Sequence, residues 1–221
     1  MNDINNVLVA TDANGNKVVV IPQVIFKGKR TISWAEVEKY LLRYVGKIFE
    51  VAETEDFIYI DKTFVREYGG SDYTKKLVGA LPKVKANMSQ GIPQMIEIAT
   101  SKRWKEDFEH RHKKRAENGW FRYNTRFALP VTNESGEIVE YNVFQAVLIV
   151  RYTSDEKLYL YDVQNIKKET RYPSWTTRSD DQKPASSKEN YNTLQNELQD
   201  PIIESKKENQ LNNLEVHKQF F

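Results

Sequence analysis

Apolar and polar positions alternate with a period of two through NVLVA and KVVVIPQVIF, within Asn6 to Phe26. The intervening TDANGN carries Asn14-Gly15, a pair suited to a tight turn. The pattern predicts a β-hairpin whose second strand bends, or lies at an edge, at Pro22. The period then lengthens. Trp34, Val37, Leu41, Tyr44 and Val45 recur at helical spacing behind an S-x-x-E capping box formed by Ser33 and Glu36, and Gly46 stops the helix. KIFEVA and FIYI, joined by the acidic turn Glu53 to Asp56, read as a second hairpin. From Ser71 the pattern is helical, interrupted at Pro82 and again at Gly91 and Pro93. Pro93 suits the first residue of a helix through QMIEIAT, because its missing N–H has no intrahelical partner there.

Trp104, Phe108 and Ala116 mark the apolar stripe of a further helix over roughly 103 to 117, with Asn118-Gly119 as its stop. Three strands follow. In WFRYNTRFALPV the positions Phe121, Tyr123, Thr125, Phe127, Leu129 and Val131 alternate with Arg122, Asn124 and Arg126, which predicts a half-buried strand with one basic face. Asn133 to Gly136 makes a hairpin turn. The strand from Ile138 to Tyr152 is apolar on both faces in its second half and so belongs in the middle of a sheet. Thr153 to Lys157 turns the chain into LYLYDVQNI. After Tyr172-Pro173 the residues are mostly Gln, Asn, Ser and Glu without a sustained period; such a segment buries too little to offset its ordering entropy, which predicts disorder. Residues 1–100 thus form N-terminal hairpins and helices, 101–172 a helix with a three-stranded antiparallel core in the same folded unit, and 173–221 a polar tail.

Charge changes the picture at one place. From Lys102 to Phe127 there are nine Lys or Arg and four Asp or Glu, a net of +5 in a chain whose total is +2, so the remainder sums to −3. A local excess of this kind is the footprint of a surface that meets phosphates. The chain has no cysteine, which excludes disulfides and thiolate metal sites and fits a reducing cytoplasm. No apolar run reaches the ~20 residues of a membrane span and no signal-peptide pattern occurs, so the reading is a soluble cytoplasmic protein with no membrane partner.

Two of the three histidines, His110 and His112, fall in the basic stretch. On a helix they point about 200° apart and do not grip one ion. With no H-E-x-x-H and no carboxylate cluster at ligand spacing, the expectation is no metal and no cofactor. His112 follows Phe108 by four residues and Trp104 by eight, which places it beside the apolar stripe. There it is either a general acid or base near neutral pH or a histidine satisfied by a backbone carbonyl. Arg122 and Arg126 share a strand face with Asn124, where guanidinium groups would hold a phosphodiester or simply face solvent. Tyr123 and Thr125 point to the other face.

The run KANMSQGIPQMIEIATSKRWKEDFEHRHKKRAENGWFRYNTRFALPV, with YNVF and KLYLYDVQNIKKET after it, resembles a large polyvalent-protein-associated domain of bacteriophages and conjugative elements. That domain is grouped with the barnase, EndoU, colicin and RelE-like nucleases. The resemblance covers about residues 5 to 170, and G-W-F-R-Y-x-T-R-F-A-L-P-V is its most specific motif. It implies an α+β fold, an antiparallel sheet with helices packed on one face, and metal-independent RNA cleavage by a 2′-hydroxyl, a base and cationic side chains. The relatives carry a Lys-His pair where this chain has Arg111-His112, and an aspartate where it has Arg115. Arginine keeps the charge but does not serve as an acid.

The leading expectation is a metal-independent ribonuclease or toxin-like effector of a mobile element, acting in a bacterial host. His112 would be its acid or base and Arg126 its main phosphate contact, with Tyr123 or Thr125 adding a hydrogen bond. Arg103, Arg111, Lys114 and Arg122 would bind the nucleic-acid backbone, and an immunity or host protein would be a second partner. The alternative is a non-catalytic anti-defence factor that mimics nucleic acid or binds a host protein; a third is a structural component of a phage or conjugation particle.

Overall fold

The computed structural model describes residues 7–12, 14–28, 31–105 and 118–169. Strands β1 (Leu8–Thr11) and β2 (Lys17–Val20) form the first hairpin. Its turn is ordered by Asp12, whose carboxylate accepts from the Asn14 and Asn16 amides at 2.9 Å each. Beyond Ile21 the chain leaves the sheet at Pro22 and runs without regular structure to residue 28. Its backbone groups are met by a buried amide instead: Asn87 Oδ1 accepts from Ile25 N at 2.8 Å and Phe26 N at 3.0 Å, and its Nδ2 donates to Phe26 O. Helix α1 (Trp34–Leu41) is capped by Ser33 as the sequence predicts and tightens into a 3₁₀ turn before Gly46, which sits at φ +84°. Strands β3 (Ile48–Val51) and β4 (Asp56–Tyr59) are the second hairpin.

Helix α2 (Lys62–Gly70) is an element the periodicity reading passed over. Asp61 caps it by accepting from Thr63 N and Phe64 N, and Phe64, Val65 and Tyr68 are its buried stripe. After the short α3 (Asp72–Lys75), Pro82 falls in the first turn of α4 (Leu81–Met88). It starts that helix rather than interrupting one, since the first turn needs no N–H from it. A 3₁₀ turn over Ser89–Gly91 leads into α5 (Ile92–Glu97), with Pro93 at its start as expected. Gly91 lies so close to β2 that a Cβ there would meet Val19 Cγ1 at 2.8 Å.

Strand β5 (Thr100–Lys105) corrects the helix predicted over 103 to 117: Arg103, Trp104 and Lys105 are extended and pair with the next strand. In T-S-K-R-W-K a neighbouring strand edge offers the backbone partners that decide the conformation, and this outweighs the three-residue fragment of a helical stripe. The rest of that predicted helix, 106–117, lies outside the described residues, as does the tail 173–221. Strands β6 (Trp120–Thr132), β7 (Ile138–Tyr152) and β8 (Leu158–Lys168) form the predicted antiparallel meander.

The sheet order is β1-β2-β6-β7-β8-β4-β3, with β5 also on β6, so β7 is central as its two-sided apolar pattern predicts. The N-terminal hairpins do not merely precede the sheet but extend it at both ends. They join through parallel pairs, β2 with β6 and β4 with β8, so the expected antiparallel sheet is mixed overall. The sheet curls, and the β3–β4 turn approaches β5: Ser101 N donates to Glu53 Oε2 at 2.7 Å. Residues of α1, α2, α4 and α5 share one core with Tyr123, Phe127 and Leu129 of β6, and the opposite sheet face carries a smaller cluster of Trp120, Ile149 and Tyr161. Among the described residues, no helix is long and apolar enough to cross a membrane.

One charged pair lies wholly inside. Lys85 of α4 and Asp162 of β8 are each 0% exposed and 2.6 Å apart. Lys85 Nζ also donates to Thr74 Oγ1 at 2.7 Å, and Asp162 accepts from Ser71 Oγ at 2.9 Å. Burial pushes the lysine's pKa down and the aspartate's up, against their mutual attraction.

Candidate nucleic-acid interface

The β5–β6 pairing decides which basic side chains meet. Its register sets Arg103 opposite Arg122 and Lys105 opposite Trp120, with a shift between Thr100 and Arg103 that places Ser101 at φ +56°. Residues directly opposite each other project from the same face, so the two guanidinium groups are cross-strand neighbours. Such a like-charged pair is unfavourable by itself and is relieved by an anion. Arg103 Nη2 donates to the neutral Asn124 Oδ1 at 2.7 Å, and Arg122 Nε is buried without a hydrogen-bond partner. Among the described residues neither arginine pairs with a carboxylate, nor does Lys105.

The other side of β5 is engaged within the protein. Lys102 Nζ bonds Asp56 Oδ1 at 2.7 Å and lies 4.5 Å from the Phe121 ring centroid. Trp104 is 56% exposed and rests on Gly119, where a Cβ would come within 2.8 Å of the indole nitrogen.

Arg126 lies on the same strand face as Arg122, but its surroundings differ. Its Nε and Nη2 donate to the two oxygens of Glu169 at 2.8 and 2.9 Å, and its Nη1 to Asp12 Oδ2 at 2.7 Å. The Glu169 hydrogen bonds, with those to Asp12, hold its pKa well above the ordinary arginine value. One guanidinium between two carboxylates carries a net charge of −1, so this group does not present a free cation to a phosphate. It ties the first hairpin turn to the end of β8.

Tyr123 and Thr125 point away from these arginines, as the alternation predicts. Tyr123 is 0% exposed and donates from its hydroxyl to Asp56 Oδ2 at 2.8 Å. Burial, with that carboxylate, pushes its pKa far above the ordinary phenol value. Thr125 is buried and donates to the Met95 carbonyl at 2.9 Å. The structure therefore brings Arg103 and Arg122 together and engages Arg126, Tyr123 and Thr125 in internal bonds. His112, Arg111 and Lys114 lie outside the described residues.

Beside Asn124 the uncovered edge of β6 passes from β5 to β2, and a cleft of about 740 Å³ opens there. Lys17, Asn124, Gln145 and Lys167 line it together with the carboxylate residues Glu53 and Glu97, and Arg126 is in its wall. Lys17 and Lys167 come from the hairpin and from β8. They were not among the sequence candidates, because only the sheet order places them near Asn124.

Asp56 is the hub between the β3–β4 hairpin and β5. Burial opposes its ionisation, but hydrogen bonds from Lys102, Thr54 and Tyr123 outweigh that and hold its pKa below the usual carboxylate value. A carboxylate with a lowered folded pKa contributes stability that is present above its unfolded value, about 4, and lost as the pH falls through the folded one. Asp56→Asn should therefore lower stability at pH 7 and flatten the loss of stability below pH 4, measured by urea unfolding at a series of pH values. An unchanged acid limb would mean that Asp56 is not ionised in this arrangement.

Compared with protein families, with curated proteins and with solved structures, the chain matches none.

Proposed function

We propose that this protein binds the sugar–phosphate backbone of RNA along the face of β5 and β6 that carries Arg103 and Arg122, and that it belongs among the nuclease-like domains of phages and conjugative elements that its sequence resembles. The observation that carries the reading is the Arg103–Arg122 pair, which has no carboxylate partner among the described residues and sits within the +5 stretch. A phosphate bridging the two guanidiniums relieves their repulsion. Lys105 extends this cationic face at one end; past Asn124 the cleft offers Lys17 and Lys167 but also Glu53 and Glu97, so the cationic face ends there.

Cleavage is the narrower part of the reading, and it rests on His112. The imidazole takes the proton of a ribose 2′-hydroxyl; the hydroxyl oxygen attacks the adjacent phosphorus, and the P–O5′ bond breaks to leave a 2′,3′-cyclic phosphate, the departing 5′-oxygen taking a proton from water. Developing charge on the phosphoryl oxygens falls to Arg103 and Arg122 rather than Arg126. Incubating the protein with a labelled single-stranded RNA in EDTA should yield cyclic-phosphate ends, and His112→Ala should abolish them. No cleavage by wild type, or equal cleavage by the variant, removes the catalytic part.

A second reading, a binder without turnover, is favoured by one observation: the Arg126, Tyr123 and Thr125 side chains all make internal bonds. It predicts RNA recovered intact from a saturable complex in that same experiment.

A further inference from the structure

The β3 end of the sheet, remote from β6 in strand order although its turn curls back to β5, has the opposite character. Strand β3 is terminal, and among the described residues no strand pairs with its outer edge. Ala52 N, just past its end, turns outward to bond Glu97 O at 3.0 Å, while Lys47 O accepts from Ile60 N of the β4 side. Backbone groups alternate in direction along a strand, so the N–H and C=O of Ile48 and Glu50 face outward with Ala52.

A groove of about 600 Å³ runs beside this edge, between it and one face of α5. Ile48, Phe49 and Pro93 give it an apolar lining; Glu50, Glu55 and Glu97 give it three carboxylates, and among the described residues no cation lines it. These glutamates have no ion-pair partner among the described residues. Ile48 is 50% exposed, and Phe57, opposite Glu50 on β4, is 56% exposed. Lys47, the nearest cation along the strand, lies with its ammonium 5.9 Å from the Tyr44 ring centroid.

We propose that the β3 edge is a docking site for an extended basic segment of a partner protein, which adds to the sheet as a further strand. Main-chain bonds to Ile48 and Glu50 supply the pairing. Alternate Lys or Arg side chains meet the glutamates, with their stems over Ile48 on the face it shares with Glu50, and the apolar residues between them cover Phe49 on the other face. The lining excludes nucleic acid, because phosphates would face three carboxylates. The protein thus presents an RNA-facing cationic strand pair and a protein-facing acidic edge on one sheet.

The test uses the full chain and a fluorescein-labelled peptide of sequence Lys-Val-Arg-Val-Lys-Val-Arg, with Glu-Val-Glu-Val-Glu-Val-Glu as the control. The basic peptide should bind saturably and the acidic one should not; Glu50→Lys/Glu97→Lys should raise the Kd at least tenfold. Both side chains are exposed, so the variant should keep its fold, which circular dichroism checks. Binding should also slow amide hydrogen exchange at Ile48 and Glu50. Absent binding, equal affinity in the variant, or binding that leaves exchange on β3 unchanged would each overturn the proposal. None of these outcomes depends on whether RNA binds Arg103 and Arg122.

Discussion

Lys85→Met should destabilise the protein by about 3–5 kcal/mol, the usual consequence of leaving one member of a buried ion pair without its partner. The side chains of Lys85 and Asp162 are both 0% exposed, so water cannot solvate the aspartate left behind. Thr74 Oγ1 would lose its donor as well, while Ser71 and Gln164 would still donate to the carboxylate. The pair joins α4 to β8, two elements far apart in the chain, so the loss should appear as a lower midpoint of cooperative unfolding. Lys85→Met/Asp162→Asn should recover at least half of the loss, because both charges are gone and the amide oxygen still accepts from Ser71. Urea unfolding of the two variants measures this, and a single variant as stable as wild type would show the pair to be neutral or open to water.

Arg126→Met is the second large effect, and it separates two roles for one residue. Breaking charge-assisted hydrogen bonds to Glu169 and Asp12 should lower stability by about 2–3 kcal/mol. RNA affinity should stay within about twofold, since the net charge of the Asp12–Arg126–Glu169 group does not favour phosphate. Asp12 adds a pH signature. Burial opposes its ionisation, but bonds from the Asn16 amide and from Arg126 prevail and hold its pKa low. The stability it contributes is therefore present above about pH 4 and lost below, and the variant's deficit should shrink on acidification. A variant of wild-type stability whose RNA affinity collapses would return Arg126 to the phosphate site.

Local pattern carried much of the fold. The S-x-x-E box at Ser33, the Asn-Gly turn at Asn14, Pro93 at a helix start and the alternation through Tyr123, Thr125 and Phe127 each have a short-range cause, and each element forms where that cause predicts. Sheet order has no such cause. That β2 and β4 join β6 and β8 in parallel follows from which faces bury together across long separations, and so does the meeting of Lys17 with Lys167. The error at β5 is of the same kind: Trp104 has a periodic partner in sequence at Phe108, but in space its strand is held by β6. With Trp104 extended, its eight-residue spacing to His112 no longer fixes a face for the histidine.

For the site, Arg103 and Arg122 were legible as cations but not as a pair. The alternation put Arg122 and Arg126 on one face correctly, yet it could not show that Asp12 and Glu169, 114 and 43 residues away from Arg126, converge on that arginine alone. Helix α2 was legible and missed: Asp61 followed by Phe64, Val65 and Tyr68 is a cap and an apolar stripe in full view.

The most direct measurement is the salt dependence of single-stranded RNA affinity for wild type and Arg103→Ala/Arg122→Ala, read by fluorescence anisotropy. If each arginine neutralises one phosphate of a single strand, removing both should make the slope of log K against log salt shallower by about 1.4 and weaken binding at low salt roughly tenfold or more. Unchanged affinity and slope in that double variant, with binding lost instead in Arg126→Met, would contradict the placement of RNA on β5 and β6.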